Sequence, residues 1–206
     1  MPRPRSLTPE AIAAAALAVI DRDGLSALSM RTVATELGLT TMAVYRYVKD
    51  REQLERLVVD LVLGDLDVTP PARAKWQKQL TVLLDRARHA VSAHPGITPL
   101  TLAHRQSSDG VRRLGEAILS VLAHAGFSGH KRVIAFRALL SYLIGSLLTQ
   151  HLGSLSGPGT ASLEAQQLYP MLAETASMAR SVSADLEFHG GLELILSGLE
   201  ADQKRP

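Results

Sequence analysis

The sequence predicts an all-α fold, in which a small N-terminal module of three helices precedes a larger helical domain. Ala and Leu recur at helical spacing throughout the 206 residues, as they do in amphipathic helices. The alternating β-branched runs and Asn-Gly turns that mark strands and hairpins are missing from the chain. With 46% apolar and 20% charged residues, the chain is long and apolar enough to bury a sizeable core.

The first helix is predicted from Pro9 to Asp23. Thr8 is a suitable N-cap, Pro9 occupies the favoured first position, and Gly24 follows the last residue. The apolar positions of its inner face, which we expect to pack against the next two helices, are Ile12, Ala16, Val19 and Ile20.

Two short helices on either side of Gly38 are the most informative part of the sequence. The first begins after the N-cap Ser29 and has an apolar face of Val33, Ala34 and Leu37. Gly38 can adopt the left-handed conformation that ends a helix. Thr40 can cap the second helix, in which Val44 and Val48 share one face at a spacing of four.

The opposite face of this second helix carries side chains that a core would not contain, namely Thr41, Met42, Tyr45 and Arg46. Two helices joined by a short Gly-containing turn, the second with hydrogen-bonding groups pointing outward, have the geometry that enters the major groove of DNA. The residues themselves therefore predict a helix-turn-helix.

A fourth helix is predicted to begin with a capping-box-like pair, Asp50 and Gln53. Its apolar stripe consists of Leu54, Leu57, Val58, Leu61 and Val62. The Pro-containing segment 67–71 marks a boundary after it. We therefore divide the chain into a DNA-binding domain at 1–50, a connecting helix at 51–66 and a C-terminal domain at 67–206.

Further helices are predicted beyond the boundary, near 73–93, 97–105, 109–125, 129–152, 162–181 and 185–200. The breaks between the earlier ones fall at 94–96 and 126–129, which contain Gly or Pro. A mobile loop is expected at 154–162, where Gly157, Pro158 and Gly159 follow one another.

Composition excludes several classes of site and favours the cytoplasm. The chain has no Cys, so it can form no disulfide or thiolate metal site. Its first residues lack the apolar core of a signal peptide. The apolar stretch 135–148 contains Arg137 and is expected to be too short to span a membrane.

Residues 1–51 hold seven Lys/Arg and five Asp/Glu, whereas the rest of the chain holds fifteen of each, so the net charge of +2 arises near the N-terminus.

The helix-turn-helix and its continuation resemble the TetR family of transcriptional regulators. The similarity covers roughly residues 8–64 and is most specific in Tyr45-Arg46-Tyr47-Val48-Lys49-Asp50-Arg51, followed by Gln53-Leu54. A weaker similarity to the last helix of the tetracycline-repressor branch lies in 191–200. The resemblance implies a homodimeric, ligand-responsive DNA-binding regulator, a repressor released from a palindromic operator by a small molecule.

The family pattern, carried over position by position, extends the DNA-contacting set. It comprises Met30, Arg31, Thr41, Met42, Ala43, Tyr45, Arg46, Tyr47, Lys49 and Arg51. Of these, Tyr47, Lys49 and Arg51 are expected to position the phosphate backbone. Arg3 and Arg5 either reach a minor groove or form a solvent-exposed terminus.

A ligand cavity is expected in the C-terminal domain, lined by Leu83, Ala87, Thr101, His104, Arg105, Leu114, Ile118, Val133, Phe136, Leu140, Met171, Thr175 and Met178. His104 and Arg105 are its polar handles, which favours an apolar effector with an acidic or carbonyl group. Thr101 stands where tetracycline repressors have a metal-coordinating His, and Leu83 and Ala87 replace polar drug-binding positions. These departures argue against a magnesium–tetracycline ligand. The seven His residues show no metal-ligand spacing, and we expect neither a metal nor a cofactor.

Surplus apolar faces on the helices near 129–152 and 185–200 indicate an interface. By resemblance these helices form a four-helix bundle with a second subunit, and the alternative is a thicker monomer core.

The sequence contains no Gly-rich phosphate-binding loop, no nucleophile elbow and no pair of carboxylates at a catalytic spacing, so we do not expect an enzyme. The alternative function is an all-helical adaptor that binds proteins without specific DNA binding.

Overall fold

The computed structural model describes residues 7–151 and 168–203, and the regular secondary structure in these ranges is helical throughout. This confirms the all-α prediction. The helices are α1 (Pro9–Asp23), α2 (Met30–Glu36), α3 (Thr41–Tyr45), α4 (Arg51–Leu63), α5 (Trp76–Ser92), α6 (Thr98–Ala103), α7 (Asp109–His124), α8 (Gly129–His151), α9 (Pro170–Ala179) and α10 (Ala184–Gln203). Short 3-10 turns lie at Leu25–Ala27 and Pro95–Ile97.

The capping residues of the N-terminal helices act largely as predicted. The Thr8 side chain accepts a hydrogen bond from the Ala11 amide at 3.2 Å, and α1 ends at Gly24, whose φ is 83°. At the start of α2, Ser29 and Thr32 cap each other's backbone amides. Thr40 differs from the prediction, because its side chain makes no capping bond to α3.

The later helices start and stop within three residues of the predicted positions, except for the start of α9. α5 begins at Trp76, three residues after the predicted start, and α9 begins at Pro170 rather than near 162. The ring of Pro170 suits the first position of a helix. The predicted loop at 154–162 and the predicted helical residues 162–167 lie outside the described residues.

The described chain packs into two compact units. The first comprises residues up to 72 together with 82–120, and the second comprises 73–81 with the residues from 121 onward. α6, and α7 as far as Ser120, thus pack in the same unit as the N-terminal helices. This grouping describes packing and does not test the functional division at 50 and 66, which remains a prediction.

The core of the first unit forms where α1 packs against α4 and α2. Ile12 and Val19 of α1 are fully buried, as are Val33 of α2 and Leu54 and Val58 of α4. The remaining members of the predicted α4 stripe, Leu57, Leu61 and Val62, are only half-buried. The buried apolar face of α4 fixes this helix against the three-helix module.

The C-terminal end of α4 is fastened to the start of α7 within the same unit. One carboxylate oxygen of Asp60 accepts hydrogen bonds from the Ser108 hydroxyl at 2.6 Å and the Gly110 amide at 3.3 Å. A Cβ on Gly110 would lie 2.8 Å from the Leu63 carbonyl carbon, so only glycine allows this approach.

The segment that follows α4 is held by Arg86 of α5. Its guanidinium donates to the carbonyl oxygens of Asp67 and Thr69, both at 2.9 Å, and pairs with the Asp67 carboxylate. The Thr69 amide also donates to Asp67, and this bond lowers the pKa of that carboxyl from its ordinary value.

The second unit is built on the packing of α8 against α10. Tyr142 donates its hydroxyl hydrogen to the Phe188 carbonyl at 2.9 Å, and the two rings stack with centroids 5.5 Å apart. The fully or nearly fully buried apolar side chains of these two helices are Ala135, Leu139, Leu143, Leu147, Phe188, Leu192 and Leu196.

Among the described residues, α8 is long and apolar enough to cross a membrane, since Gly129–Thr149 has a mean hydropathy of 1.4 over its most apolar window. The prediction that this stretch is too short is therefore wrong. Only 22% of that window is buried in the chain. A helix that packs against a partner protein has the same length and composition, so these two properties alone argue little for a membrane span.

Candidate nucleic-acid interface

The exposed surface of α3 and the turn after it present most of the predicted DNA-contacting side chains together. Met42 is 72% exposed and Tyr45 46% exposed. Arg46, Tyr47 and Lys49 are also exposed. Thr41 and Ala43 are half-buried at the edge of this surface. We call these seven residues, 41–43, 45–47 and 49, the reading surface.

Two valines fix the reading surface to the core. Val44 and Val48 are fully buried, and the Val48 amide donates to the Val44 carbonyl at 3.1 Å, which preserves the predicted spacing of four. α3 itself ends at Tyr45, so the valines rather than a long helix set its orientation. Burial of both side chains leaves the polar and aromatic groups on the opposite side.

The turn before α3 is tight and depends on Gly38. Its φ is 66°, in the left-handed region, and the next amide, Leu39, donates to the Ala34 carbonyl at 2.8 Å. These are the features of a helix that ends at a left-handed glycine. The turn packs α2 against α3 and completes the predicted helix-turn-helix.

The N-terminus of α4 holds the chain beside the reading surface. Asp50 caps α4 by accepting from the Gln53 amide at 2.7 Å, and the Gln53 side chain accepts from the Lys49 amide at 2.8 Å. The backbone of Lys49 is thus fixed, while its ammonium group is exposed. An exposed cation whose backbone is held beside a recognition helix suits contact with a phosphate.

Arg51 has a role inside the protein that the sequence did not predict. Its guanidinium donates to the Leu28 carbonyl at 2.9 Å and, more weakly, to the Leu25 carbonyl at 3.4 Å. It also pairs with Glu55 at 2.7 Å, and its side chain remains 50% exposed. Its contact with a phosphate stays a prediction. In the structure its guanidinium ties the start of α4 to the segment before α2.

Met30 requires a correction, because its side chain is only 7% exposed and forms part of the core. It is the first residue of α2, and its side chain turns inward beside Val33 and Ala34, which are buried as well. Its neighbour Arg31 is exposed. The side chain of Met30 is therefore not available to DNA in this conformation. Arg3 and Arg5 lie outside the described residues.

The predicted ligand-binding residues divide between the two units. Those in the first unit are Leu83, Ala87, Thr101, His104, Arg105, Leu114 and Ile118, and those in the second are Val133, Phe136, Leu140, Met171, Thr175 and Met178. Most of the first set is buried, whereas Val133, Met171 and Met178 are between 48% and 72% exposed. The cavity itself remains a prediction.

Both predicted polar handles of that cavity already have partners within the first unit. His104 is 4% exposed, and its Nε2 atom lies 3.2 Å from the Glu55 carboxylate. Arg105 is exposed and donates to the Leu102 carbonyl at 2.9 Å. A buried ring nitrogen bound to a carboxylate is a poor hydrogen-bonding group for a ligand. In the described part of the chain, no three His, Cys, Asp or Glu side chains are grouped as a metal site.

Sequence reasoning missed the carboxylates that hold this unit together. Glu55 bonds both Arg51 and His104, and Asp60 bonds Ser108. The spacing of Arg51 and Glu55 at i and i+4 is a readable signal. The partners on and after α6 are about 50 positions away, and one sequence gives no sign of such a contact.

Two family models match the chain. The model described as "Bacterial regulatory proteins, tetR family" matches residues 12–56, and the model described as "Tetracyclin repressor-like, C-terminal domain" matches residues 69–203. Together they cover the helix-turn-helix and nearly all that follows the segment after α4.

Individual relatives are similar over almost the whole chain. An HTH-type transcriptional regulator of Saccharopolyspora erythraea is 25% identical over 95% of this chain and 85% of its own length. The class D tetracycline repressor of Escherichia coli is 28% identical over 94% of this chain and 89% of its own. The crystal structure of the TetR family protein ActR of Streptomyces coelicolor in complex with (S)-DNPA has a TM-score of 0.81 at 27% identity, covering 95% of this chain and 98% of that one.

Proposed function

Because the chain belongs to the TetR family of bacterial regulatory proteins, we propose that it is a repressor that binds a specific DNA operator and releases it when a small molecule binds. The observation that carries this function is the reading surface. Its exposed Tyr45, Arg46 and Lys49 are held outward by the buried Val44 and Val48. Such a surface suits base edges and phosphates together.

The individual contacts follow from the chemistry of each side chain. Arg46 can donate to a guanine edge or a phosphate, Tyr45 and Thr41 can bond a phosphate or a base, and exposed Met42 can contact a thymine methyl group. Lys49 and Tyr47 position the phosphate backbone. Arg31, at the start of α2, adds a further cation.

The protein acts as a homodimer in this proposal, through α8 and α10. Apolar side chains of these helices remain exposed in the single chain, with Ile134 65% and Leu194 77% exposed. Exposed apolar surface on two helices that already pack together favours a bundle with a second copy. The two-fold symmetry of such a dimer requires a near-palindromic operator, with half-sites about one helical turn, roughly 34–36 Å, apart.

A small molecule is the proposed signal. ActR was crystallised with (S)-DNPA and with actinorhodin, and similarity to it supports an organic effector for this chain. The apolar character of Leu83, Ala87, Leu114 and Ile118 favours an apolar ligand. The effector favours a conformation in which α4, the connecting helix, has shifted. The distance between the two reading surfaces of the dimer then no longer matches the spacing of the two half-sites. Such coupling amounts to about 1–3 kcal/mol, and DNA and effector weaken each other reciprocally.

This function places the protein in the cytoplasm, where bacterial chromosomal DNA is found, and it assigns the chain no catalytic step. Its relatives are transcriptional regulators. The adaptor alternative does not explain why Tyr45, Arg46 and Lys49 are exposed together.

The test is a binding selection of the purified protein against a random duplex library of about 30 base pairs, which is long enough for two half-sites. We expect recovery of one motif with two-fold symmetry. Binding that is sequence-blind and abolished by moderate salt would contradict a specific repressor and would favour the adaptor.

A further inference from the structure

The charged residues of α8 and α10 are separated by sign. α8 contains three Lys or Arg residues and no Asp or Glu, and its cations are Lys131, Arg132 and Arg137. α10 contains five Asp or Glu residues and no Lys or Arg, and its anions are Asp185, Glu187, Glu193, Glu200 and Asp202. Each helix therefore carries charges of one sign, and the two signs are opposite.

Within one chain, the packing of these two helices does not use all of the opposite charges. Lys131 near the start of α8 lies 3.9 Å from Asp202 near the end of α10. Farther along α8, the Tyr142 hydroxyl bonds the Phe188 carbonyl near the start of α10. The helices are therefore antiparallel, and the central part of their pairing lies between these two contacts.

Arg137 of α8 and Glu193 of α10 belong to this central part, and both side chains are exposed. In the described part of the chain, no hydrogen bond or ion pair engages either side chain. The two residues thus carry opposite charges at the same level of the helix pair, yet they do not bind each other within one chain.

Both charges lie among exposed apolar side chains. Ile134 precedes Arg137 by three residues, on the same face of α8, and is 65% exposed. On α10, Leu186 precedes Glu193 by two turns and is 61% exposed, and the adjacent Leu194 is 77% exposed. If this apolar surface becomes an interface, each charge loses water and needs an oppositely charged partner there.

The separation of charge restricts how a second copy can pack. If α8 faced α8 of the second copy, cations would meet cations, and if α10 faced α10, anions would meet anions. If α8 faced α10 of the second copy, opposite charges would meet instead. In a two-fold dimer that contact occurs twice, because each copy supplies both helices.

We propose that α8 of each copy packs against α10 of the other, and that Arg137 pairs with Glu193 of the partner subunit on both sides of the two-fold axis. This inference rests on the homodimer of the proposed function and names what selects the partner. A buried ion pair adds little affinity by itself. It favours a second copy of this chain, because another subunit with a like charge at either position would be repelled.

The test begins with two single charge reversals, Arg137→Glu and Glu193→Arg. In the homodimer of either variant, like charges face each other twice. We expect the dimer dissociation constant of each variant to rise at least about tenfold, measured by sedimentation over a concentration series. Wild-type dissociation constants in both variants would overturn the pairing.

Mixing the two single variants gives the decisive result, because their charges are complementary. The Arg137→Glu subunit has carboxylates at both positions, and the Glu193→Arg subunit has guanidinium groups at both. In a heterodimer, opposite charges therefore face each other on both sides of the axis. We expect heterodimers above the fraction given by random pairing, measured by native mass spectrometry with a mass tag on one variant. This gain also shows that both variants are folded.

The same experiment distinguishes pairing between copies from pairing within a chain. A chain that carries both reversals should form homodimers again but should not pair with the wild type, since like charges would then meet on both sides. If Arg137 and Glu193 instead paired within one chain, the two single variants would have no preference for each other. Random mixing of the single variants would therefore overturn the proposal.

Glu116→Arg is the matched control for Glu193→Arg. Glu116 is an exposed carboxylate of α7 in the first compact unit, and no ion pair engages it within the described residues. This variant should keep the wild-type dissociation constant. An equal weakening of the dimer by Glu116→Arg would show a general charge effect and would overturn the specific pair.

None of these measurements needs DNA, so the pairing and the proposed function fail separately. Selective heterodimers without any recovered operator would support the pairing and refute the repressor function. A wild type that binds its operator as a dimer, with both reversals harmless, would overturn the pairing alone. A wild type that is monomeric would overturn the pairing together with the proposed bundle.

Discussion

At the scale of single residues, two arginines of the same motif have different surroundings. The guanidinium of Arg51 is bound to the Leu28 carbonyl and to Glu55. Arg46 is exposed, and no hydrogen bond or ion pair ties its side chain to the rest of the described chain. Both arginines are exposed and belong to the same motif. Only the fold shows that Arg51 braces the helix-turn-helix, while the side chain of Arg46 is left for the proposed contact with DNA.

Arg46→Ala should weaken operator binding without changing the fold. Loss of a base or phosphate contact costs about 1–3 kcal/mol, which corresponds to at least about a fivefold loss of affinity. Fluorescence anisotropy with the selected operator measures the change, and urea unfolding should match wild type. Wild-type affinity would remove Arg46 from the reading surface.

Arg51→Ala should lower the free energy of unfolding by about 1 kcal/mol, because it removes charge-assisted hydrogen bonds from a half-exposed side chain. Arg46→Ala is the matched control, since it removes an exposed arginine of the same motif. Urea denaturation measures the free energy of unfolding of both variants. Equal stability of the two variants would contradict the bracing role of Arg51.

Much of the reading surface could be predicted from the sequence, since the burial of Val44 and Val48 at a spacing of four determines which neighbours face outward. Met30 could not be placed correctly, because the first residue of a helix can turn either way until the packing around it is known. His104 is a similar case, since nothing local indicates that its ring faces Glu55, 49 positions earlier.

At the scale of elements, the helix boundaries follow from local chemistry. Thr8, Ser29 and Asp50 cap their helices with side-chain bonds, and such bonds depend only on neighbouring residues. Packing between helices depends on distant residues. The close contact of α8 with α10 at Gly191 is an example, because its partner Tyr142 lies far away in the sequence.

Gly191→Ala should destabilise the second unit. A Cβ at this position would overlap the Tyr142 hydroxyl and lie 2.8 Å from the ring carbon that bears it. Tyr142 would have to move and would lose its bond to the Phe188 carbonyl. We expect a loss of about 1–3 kcal/mol in unfolding free energy, measured by chemical denaturation.

Gly198→Ala is the control for that substitution. It lies on the same helix, and a Cβ there meets nothing within 4 Å. Because alanine favours a helix over glycine by about 1 kcal/mol, this variant should equal or exceed wild-type stability. If both variants behaved alike, the close approach of α10 to Tyr142 would not matter to stability.

At the scale of the whole molecule, the proposed dimer explains two helices whose buried faces do not use all their apolar residues. α8 buries Leu139 and Leu143 but exposes Ile134, and α10 buries Leu192 but exposes Leu194. The surplus could be recognised in the sequence. The sequence does not show which residues remain exposed, because two faces of the helix are similarly apolar and only the packing determines which of them is buried.

Ile134→Glu combined with Leu194→Glu should convert a dimer into a monomer, since each change places a charge in the proposed apolar interface. Sedimentation velocity at micromolar concentration measures the mass. Leu102→Glu is the control, because Leu102 is an exposed leucine of α6, outside the interface. A wild type that sediments as a monomer would contradict the proposed bundle.

Specific DNA binding by a dimer is tested most directly by titrating the protein, at one physiological salt concentration, with three duplexes. These are the selected operator, the same duplex with one half-site scrambled, and the duplex with both half-sites scrambled. A two-fold, sequence-specific repressor should lose affinity stepwise, by at least about a thousandfold for the doubly scrambled duplex, which is the usual margin of specific over unspecific binding. Equal affinity for all three duplexes would contradict a sequence-specific, two-fold DNA-binding repressor.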